Sequence, residues 1–172
     1  IPGNIGELLK QVKESLQQYL VEKELTIDPL WFEGRDGLVE REYSQFLVTG
    51  GMYNEYHRTS PNLMAHLAHL EHDSGIQYLL DFMTANITTE KSILDYGCGI
   101  GSLGIRLKEA GYEQVSFADV PSPSTEFLEW RFDNHLTLFN LREDLPQPFD
   151  VVACYNLLEH VHDPWKVFGH ME

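Results

Sequence analysis

The stretch Ser92–Leu107, SILDYGCGIGSLGIRL, decides how the rest of the chain is read. A short apolar run meets Asp95 and then glycines at 97, 99, 101 and 104. Glycine weakens strands and helices alike, so this density marks a turn of unusual shape or a close approach to the backbone. Upstream, SILDYG reads as a strand; downstream, SLGIRLKEAG reads as a helix closed by Gly111. A strand, a glycine turn and a helix in that order present backbone N–H groups to a ligand.

The same rhythm continues toward the C-terminus. QVSFADV is a strand, Ser122-Pro123 opens a helix, LTLFNL and FDVVACYN are strands, and Asp163-Pro164 opens a last helix. Strands alternating with helices predict an α/β fold with a parallel sheet and crossover helices. Such sheets bind ligands beyond the carboxyl ends of their strands. Asp95, Asp119, Asn140 and Asn156 stand at the four strand ends and are predicted to share one rim.

Residues 1–90 have a different character and are expected to form a helical cap or lid, leaving 91–172 as the binding core. NIGELLKQVKESLQQYL carries an apolar stripe at helical spacing, with Asn4 and Glu7 as a capping pair. Glycines at 34, 37, 50 and 51 break up the aromatic segment 28–58, which reads as loop with short helices. Ser60-Pro61 looks like a cap before a helix bearing Leu63, Leu67 and Leu70, interrupted near Asp73-Ser74-Gly75. His66, His69 and His72 fall off that stripe and read as a solvated face rather than a metal cluster.

Composition narrows the partners. The formal net charge of -15 opposes binding to phosphate backbones, so no nucleic acid is expected. Cys98 and Cys154 are the two cysteines, too few for a disulfide framework, which favours a reducing, cytoplasmic setting. No apolar run approaches the ~20 residues a membrane span requires.

Gly99-x-Gly101-x-x-Gly104, with Asp119 about twenty residues on, matches a dinucleotide fingerprint. Asp95 argues against a pyrophosphate at that turn, because a carboxylate beside it repels phosphate. A nucleoside ligand with a cationic end fits better, and S-adenosylmethionine has an ammonium and a sulfonium there. A nicotinamide-dependent oxidoreductase is thereby the less favoured reading.

ILDYGCGIG, FADV and FDVVACYNLLEHVHDP together resemble the class I S-adenosylmethionine-dependent methyltransferases over residues 92–172. The LLEHV segment most resembles the small-molecule O-methyltransferases of quinone biosynthesis. The resemblance implies a Rossmann-like doubly wound sheet ordered 3-2-1-4. It places Asp95 near the methionine ammonium, Gly97, Gly99 and Gly101 under the ligand, and Asp119 on the ribose hydroxyls. Asn140, with Leu141, stands where the family often puts an acid for the adenine amine, and Asn156 on the sulfonium and substrate side. Arg58 is assigned to the methionine carboxylate, and Glu159 and His160 are the catalytic candidates. Relatives that bind a metal carry Glu-x-x-Glu-His; here Asn156 replaces the first acid, so no metal is expected. A small-molecule acceptor is implied. The reading from another class is a non-catalytic subunit that keeps the fold.

Plainer roles suit several other residues. Cys98 and Cys154 read as packed thiols, and Asp163 as a helix cap. The strands that follow strand four in the resembled fold are missing from this sequence. That leaves strand four at an edge, to be covered by further chain or by a second copy in a homo-oligomer.

Overall fold

A computed structural model describes residues 5–33, 37–48, 53–69, 74–133, 135–145 and 148–171. The chain divides into a helical unit, 1–73 with 121–134, and a sheet unit, 74–120 with 135–172.

In the helical unit, α1 (Ile5–Glu22) buries Val12, Leu16, Tyr19 and Leu20, the predicted stripe. The Asn4–Glu7 capping pair lies outside the described residues. Tyr19 packs its ring 5.3 Å from Phe127 and 5.4 Å from Trp130 of α7 (Pro123–Arg131). The Trp130 indole N–H donates to Glu22 at 2.8 Å, so α7 is held by both packing and a charge-assisted bond. Ser122 and Thr125 form a capping box at its start.

A 3-10 turn (Pro29–Glu33) precedes α2 (Leu38–Val48), α3 (Tyr53–Thr59) and α4 (Asn62–His69). The region read as loop with short helices carries helices of eleven and seven residues. Glu42 of α2 accepts from Tyr56 Oη at 2.9 Å, Ser60 Oγ at 3.2 Å and Asn62 Nδ2 at 2.8 Å. The Ser60 hydroxyl expected to cap α4 is thus bound to Glu42 instead. On α4 the buried face is Leu63, Met64, Ala65 and Ala68. His66 is half-buried and edge-on to Trp31, 6.4 Å between rings, not on a solvated face. Leu70, His72 and the His69 side chain lie outside the described residues.

The sheet unit begins with α5 (Ser74–Asn86), followed by β1 (Ile93–Tyr96), α6 (Ser102–Glu109), β2 (Val115–Asp119), β3 (Leu138–Asn140), β4 (Val151–Ala153) and α8 (Pro164–Met171). The four strands are parallel in the order β3-β2-β1-β4, the Rossmann-like arrangement. Asp95 pairs in register with Phe117 and Ala153, and Asp119 with Asn140. The two faces of β1 separate by alternation. Leu94 and Tyr96 meet Ala118, Val152, Val167 and Met171, so α8 covers that side. Asp95 and Phe117 meet α6 at Gly104 on the other side. Asp163 Oδ1 accepts from Lys166 N–H at 3.1 Å, which caps α8 as predicted.

The grouping differs from a boundary at residue 90. Helix α5 belongs with the sheet because Tyr112 Oη donates to the carbonyls of Met83 at 3.1 Å and Ile87 at 2.7 Å. Helix α7 groups with α1 because its aromatic residues pack on Tyr19. No pattern within either helix reveals this, since both pairings join distant segments.

Candidate functional site

The carboxyl end of β1 turns through Gly97, Gly99 and Gly101 at φ of 77°, 53° and 84°. This left-handed backbone is costly for side-chain-bearing residues and explains the glycine density. The turn is tied to β2: Gly97 and Cys98 N–H groups donate to the Ala118 carbonyl at 2.7 and 3.1 Å. Gly101 N–H donates to the Cys98 carbonyl at 2.8 Å and leads into α6.

Two aspartates flank the turn. Asp95 is buried, and its Oδ2 accepts from the Gly104 N–H at 2.9 Å. A carboxylate facing the N-terminus of α6 is favoured by the helix dipole. Asp119, at the end of β2, accepts from Gly99 N–H at 2.7 Å and from Val120 N–H at 2.6 Å, one bond to each oxygen. Burial pushes its pKa up, offset in part by those N–H groups. Its oxygens retain lone pairs for further donors, about four sites in total per carboxylate.

The glycines do not all serve the same purpose. A Cβ on Gly104 would collide with the Phe117 ring and come 3.0 Å from Asp95 Oδ2, so this glycine seats α6 on the sheet. A Cβ on Gly97 would come 2.6 Å from Leu157 Cδ2. Leu157, from the loop after β4, therefore occupies the space beside Gly97. Sequence reasoning missed this contact, and the only signal for it was the spacing of the LLEHV segment.

Around the remaining rim, Leu141 N–H donates to the Asp119 carbonyl at 3.0 Å, joining the exits of β2 and β3. Asn140 Oδ1 accepts from Arg142 N–H at 3.1 Å, and its Nδ2 donates to Glu143 Oε1 at 3.1 Å. Strand β4 ends at Ala153, so Asn156 stands beyond it, exposed and at φ 51°. Glu159 and His160 follow in a 3-10 turn (Leu158–His160), exposed and half-buried respectively. Tyr155 of this loop packs its hydroxyl on Gly75 of α5.

The sheet unit thus gathers Asp95, the glycine turn, Asp119, Asn140, Leu141, Asn156, Glu159 and His160 around the carboxyl ends of its strands. Arg58 belongs to α3 of the helical unit; its Nε is buried without a hydrogen-bond partner among the described residues. Burial, with Asp119 and Asp95 nearby, holds the Cys98 thiol well above its usual pKa. Burial raises Cys154 to about 11, with smaller contributions from Asp95 and Glu159. Neither is an activated nucleophile. Among the described residues no three His, Cys, Asp or Glu side chains assemble a metal site, and no helix is long and apolar enough to cross a membrane.

Comparison with known proteins gives a consistent picture. A family model described as a methyltransferase domain matches residues 64–172, more than half of the chain. A ubiquinone biosynthesis O-methyltransferase of Pseudomonas syringae pv. tomato is 33% identical over 87 residues, covering 45% of this chain and 36% of that protein. The Yersinia pestis enzyme of the same description is 33% identical over 91 residues, covering 45% and 35%. The alignments thus span little more than a third of these curated relatives. Among solved structures, the magnesium protoporphyrin IX methyltransferase of Synechocystis PCC 6803 with bound SAM superposes with a TM-score of 0.50 at 21% identity. That match covers 59% of this chain and 53% of that one, a likeness of fold.

Proposed function

This chain belongs to the methyltransferase domain family, and we propose that it binds S-adenosylmethionine at the rim after β1 and β2 and methylates a small molecule. One observation carries the reading: a left-handed glycine turn is clasped between two carboxylates, Asp95 and Asp119. The donor set suits a nucleoside with a cationic tail. Asp119 offers acceptor oxygens to vicinal hydroxyls, and Asp95 supplies negative charge beside the turn, where a pyrophosphate would be repelled.

S-adenosylmethionine supplies an electrophilic methyl on its sulfonium; the S–C bond breaks as the acceptor bonds to carbon, and the positive charge is discharged. The protein's part is to orient and desolvate the acceptor. The loop after β4 is the part of the sheet unit suited to that task, because Leu157 fastens it to the glycine turn. Glu159 and His160 on that loop are the groups proposed to take the acceptor's proton. The description of the relatives as O-methyltransferases favours a hydroxyl oxygen as the acceptor.

Calorimetric titration with S-adenosylmethionine and, separately, with NAD tests the cofactor. Binding of the first and not the second is expected; the reverse overturns the reading. Methyl transfer from labelled S-adenosylmethionine to phenols and catechols then tests the acceptor class. Binding without transfer to any acceptor identifies a non-catalytic member of the family.

A further inference from the structure

The loop after β4 is pinned on both sides of the sheet. Val152 and Cys154 pack against the Leu94 and Tyr96 cluster, on the side that α8 covers. Alternation sends Tyr155 the other way, where its hydroxyl occupies the position that a Cβ on Gly75 would take. Leu157 returns to the first side, against the Tyr96 cluster and in the space beside Gly97. Between the two pins stands Asn156, exposed and left-handed at φ 51°. Asparagine tolerates that backbone better than most residues.

Gly75 is a glycine for the sake of its neighbour. It lies in the first turn of α5, its backbone is not left-handed, and alanine is the better helix former. What excludes a side chain there is the Tyr155 ring. Beyond the hydroxyl, its Cζ and Cε2 would stand 2.9 and 3.2 Å from an added Cβ. The far end of α5 is held separately, by Tyr112 Oη on the Met83 and Ile87 carbonyls. The seat of Tyr155 is thus anchored to the sheet.

We propose that Tyr155 is a positioning residue for methyl transfer. Seated on Gly75 and opposed by Leu157 beside Gly97, it holds the loop so that Glu159 and His160 keep their place at the rim. This rests on the function proposed above. Groups that act on a bound acceptor must be closely placed, since a misplacement of ~1 Å costs on the order of a hundredfold in rate.

The collision at Gly75 supplies the test. Gly75→Ala, Tyr155→Phe and the double variant are compared with the wild type in the presence of S-adenosylmethionine. Two quantities are read: amide hydrogen exchange in residues 155–160, and methyl transfer to catechol. Gly75→Ala should displace the tyrosine, speed that exchange and lower kcat about tenfold or more. The dissociation constant of S-adenosylmethionine should change by less than the rate does. Adding Tyr155→Phe removes the colliding atom and leaves ring carbons that a small tilt clears. Exchange should then slow again and the rate recover in part, the non-additivity that a direct contact produces.

A Gly75→Ala protein that exchanges and transfers like the wild type overturns the inference. So does a double variant no better than Gly75→Ala in either quantity. Should Gly75→Ala fail to fold, Tyr155→Leu empties the seat without adding an atom. It should show the same fast exchange and slow transfer, and wild-type behaviour there overturns the inference too. The expected exchange pattern in a chain that transfers no methyl keeps the clamp and overturns the function proposed for it.

Discussion

The two ends of the β1–β4 region each hold an aspartate, and the protein treats them in opposite ways. At the amino end, Asp150 accepts from Lys91 Nζ, Ser92 N–H and Ser92 Oγ, each at 2.9 Å, and Ser92 Oγ in turn accepts from Asp150 N–H at 3.0 Å. Lys91 first, then Ser92, holds its pKa down to about 2. At the carboxyl end, Asp119 is half-buried, and desolvation raises its pKa. One carboxylate is satisfied by its own chain and remains in water. The other is desolvated, with two backbone N–H groups that only partly compensate. Burying a charge in that way opposes folding, so the carboxyl end reads as a site shaped for a ligand and the amino end as a structural clasp.

The comparison breaks most sharply at Gly99. Valine there adds a β-branched side chain at φ 53°, a conformation that costs about 1–2 kcal/mol for an ordinary L-residue and more for a branched one. The same N–H binds Asp119, so the distortion reaches the proposed ribose acceptor as well. Binding of S-adenosylmethionine should fall on the order of a hundredfold or more, the sum of a displaced loop and a displaced carboxylate. Circular dichroism should still show a folded chain. Normal affinity in a folded Gly99→Val protein removes the turn from the site.

Removing one carboxylate at each end comes next. Asp119→Ala would forfeit the charge-assisted bonds proposed to two ribose hydroxyls, each worth ~1.5–3 kcal/mol before water compensates. Affinity should drop about tenfold or more. Asp150→Ala should leave the dissociation constant unchanged, because its partners all lie at the other end of the strands. Equal losses in the two variants would mean that Asp119 acts through stability rather than contact.

Why some contacts were readable and others were not follows from sequence distance. Asp95, the glycines and Asp119 stand within a single strand-turn-helix-strand segment, where glycine positions report directly on backbone shape. The parallel order of the sheet followed from the strand–helix alternation and the resemblance together. Other contacts of the sheet unit join remote positions: Leu157 beside Gly97, and Tyr155 on Gly75. Glu42 likewise gathers donors 14, 18 and 20 residues away. Nothing local in a leucine or a glutamate announces such a partner. At Asn140 the residue type was legible, but the commitment of its amide to Arg142 and Glu143 was not.

The amino-end clasp should reveal itself in acid. A carboxylate whose folded pKa is depressed contributes stability above its ordinary value, ~3.9, and loses it as pH falls through the folded value. For Asp150 that window runs from about 4 down to about 2. Asp150→Asn should melt below the wild type at pH 7, and the gap should close as the pH drops through that window. The carboxylate is 41% exposed, so solvent screening keeps the effect modest. A gap that is constant across the window means the lost interaction was not the ionised pair.

The smallest expected effect is a fraction of a proton, and it belongs to the carboxyl end alone. The raised pKa of Asp119 means that its neutral form favours the folded chain. Its contribution to stability is present below ~3.9 and lost as pH rises through the folded value. In the proposed complex two ribose hydroxyls would donate to the ionised form, and a bound nucleoside would pull the pKa back down. Binding at a pH near the free-protein value should therefore release part of a proton, and affinity should weaken as pH falls through that value. Calorimetry in two buffers of different ionisation enthalpy reads this release directly as a difference in binding heat. Asp119→Asn should abolish the difference, and Asp150→Asn should leave it intact. A binding heat independent of buffer across that range would show that no hydroxyl meets Asp119, and the contrast between the two aspartates would lose its functional meaning.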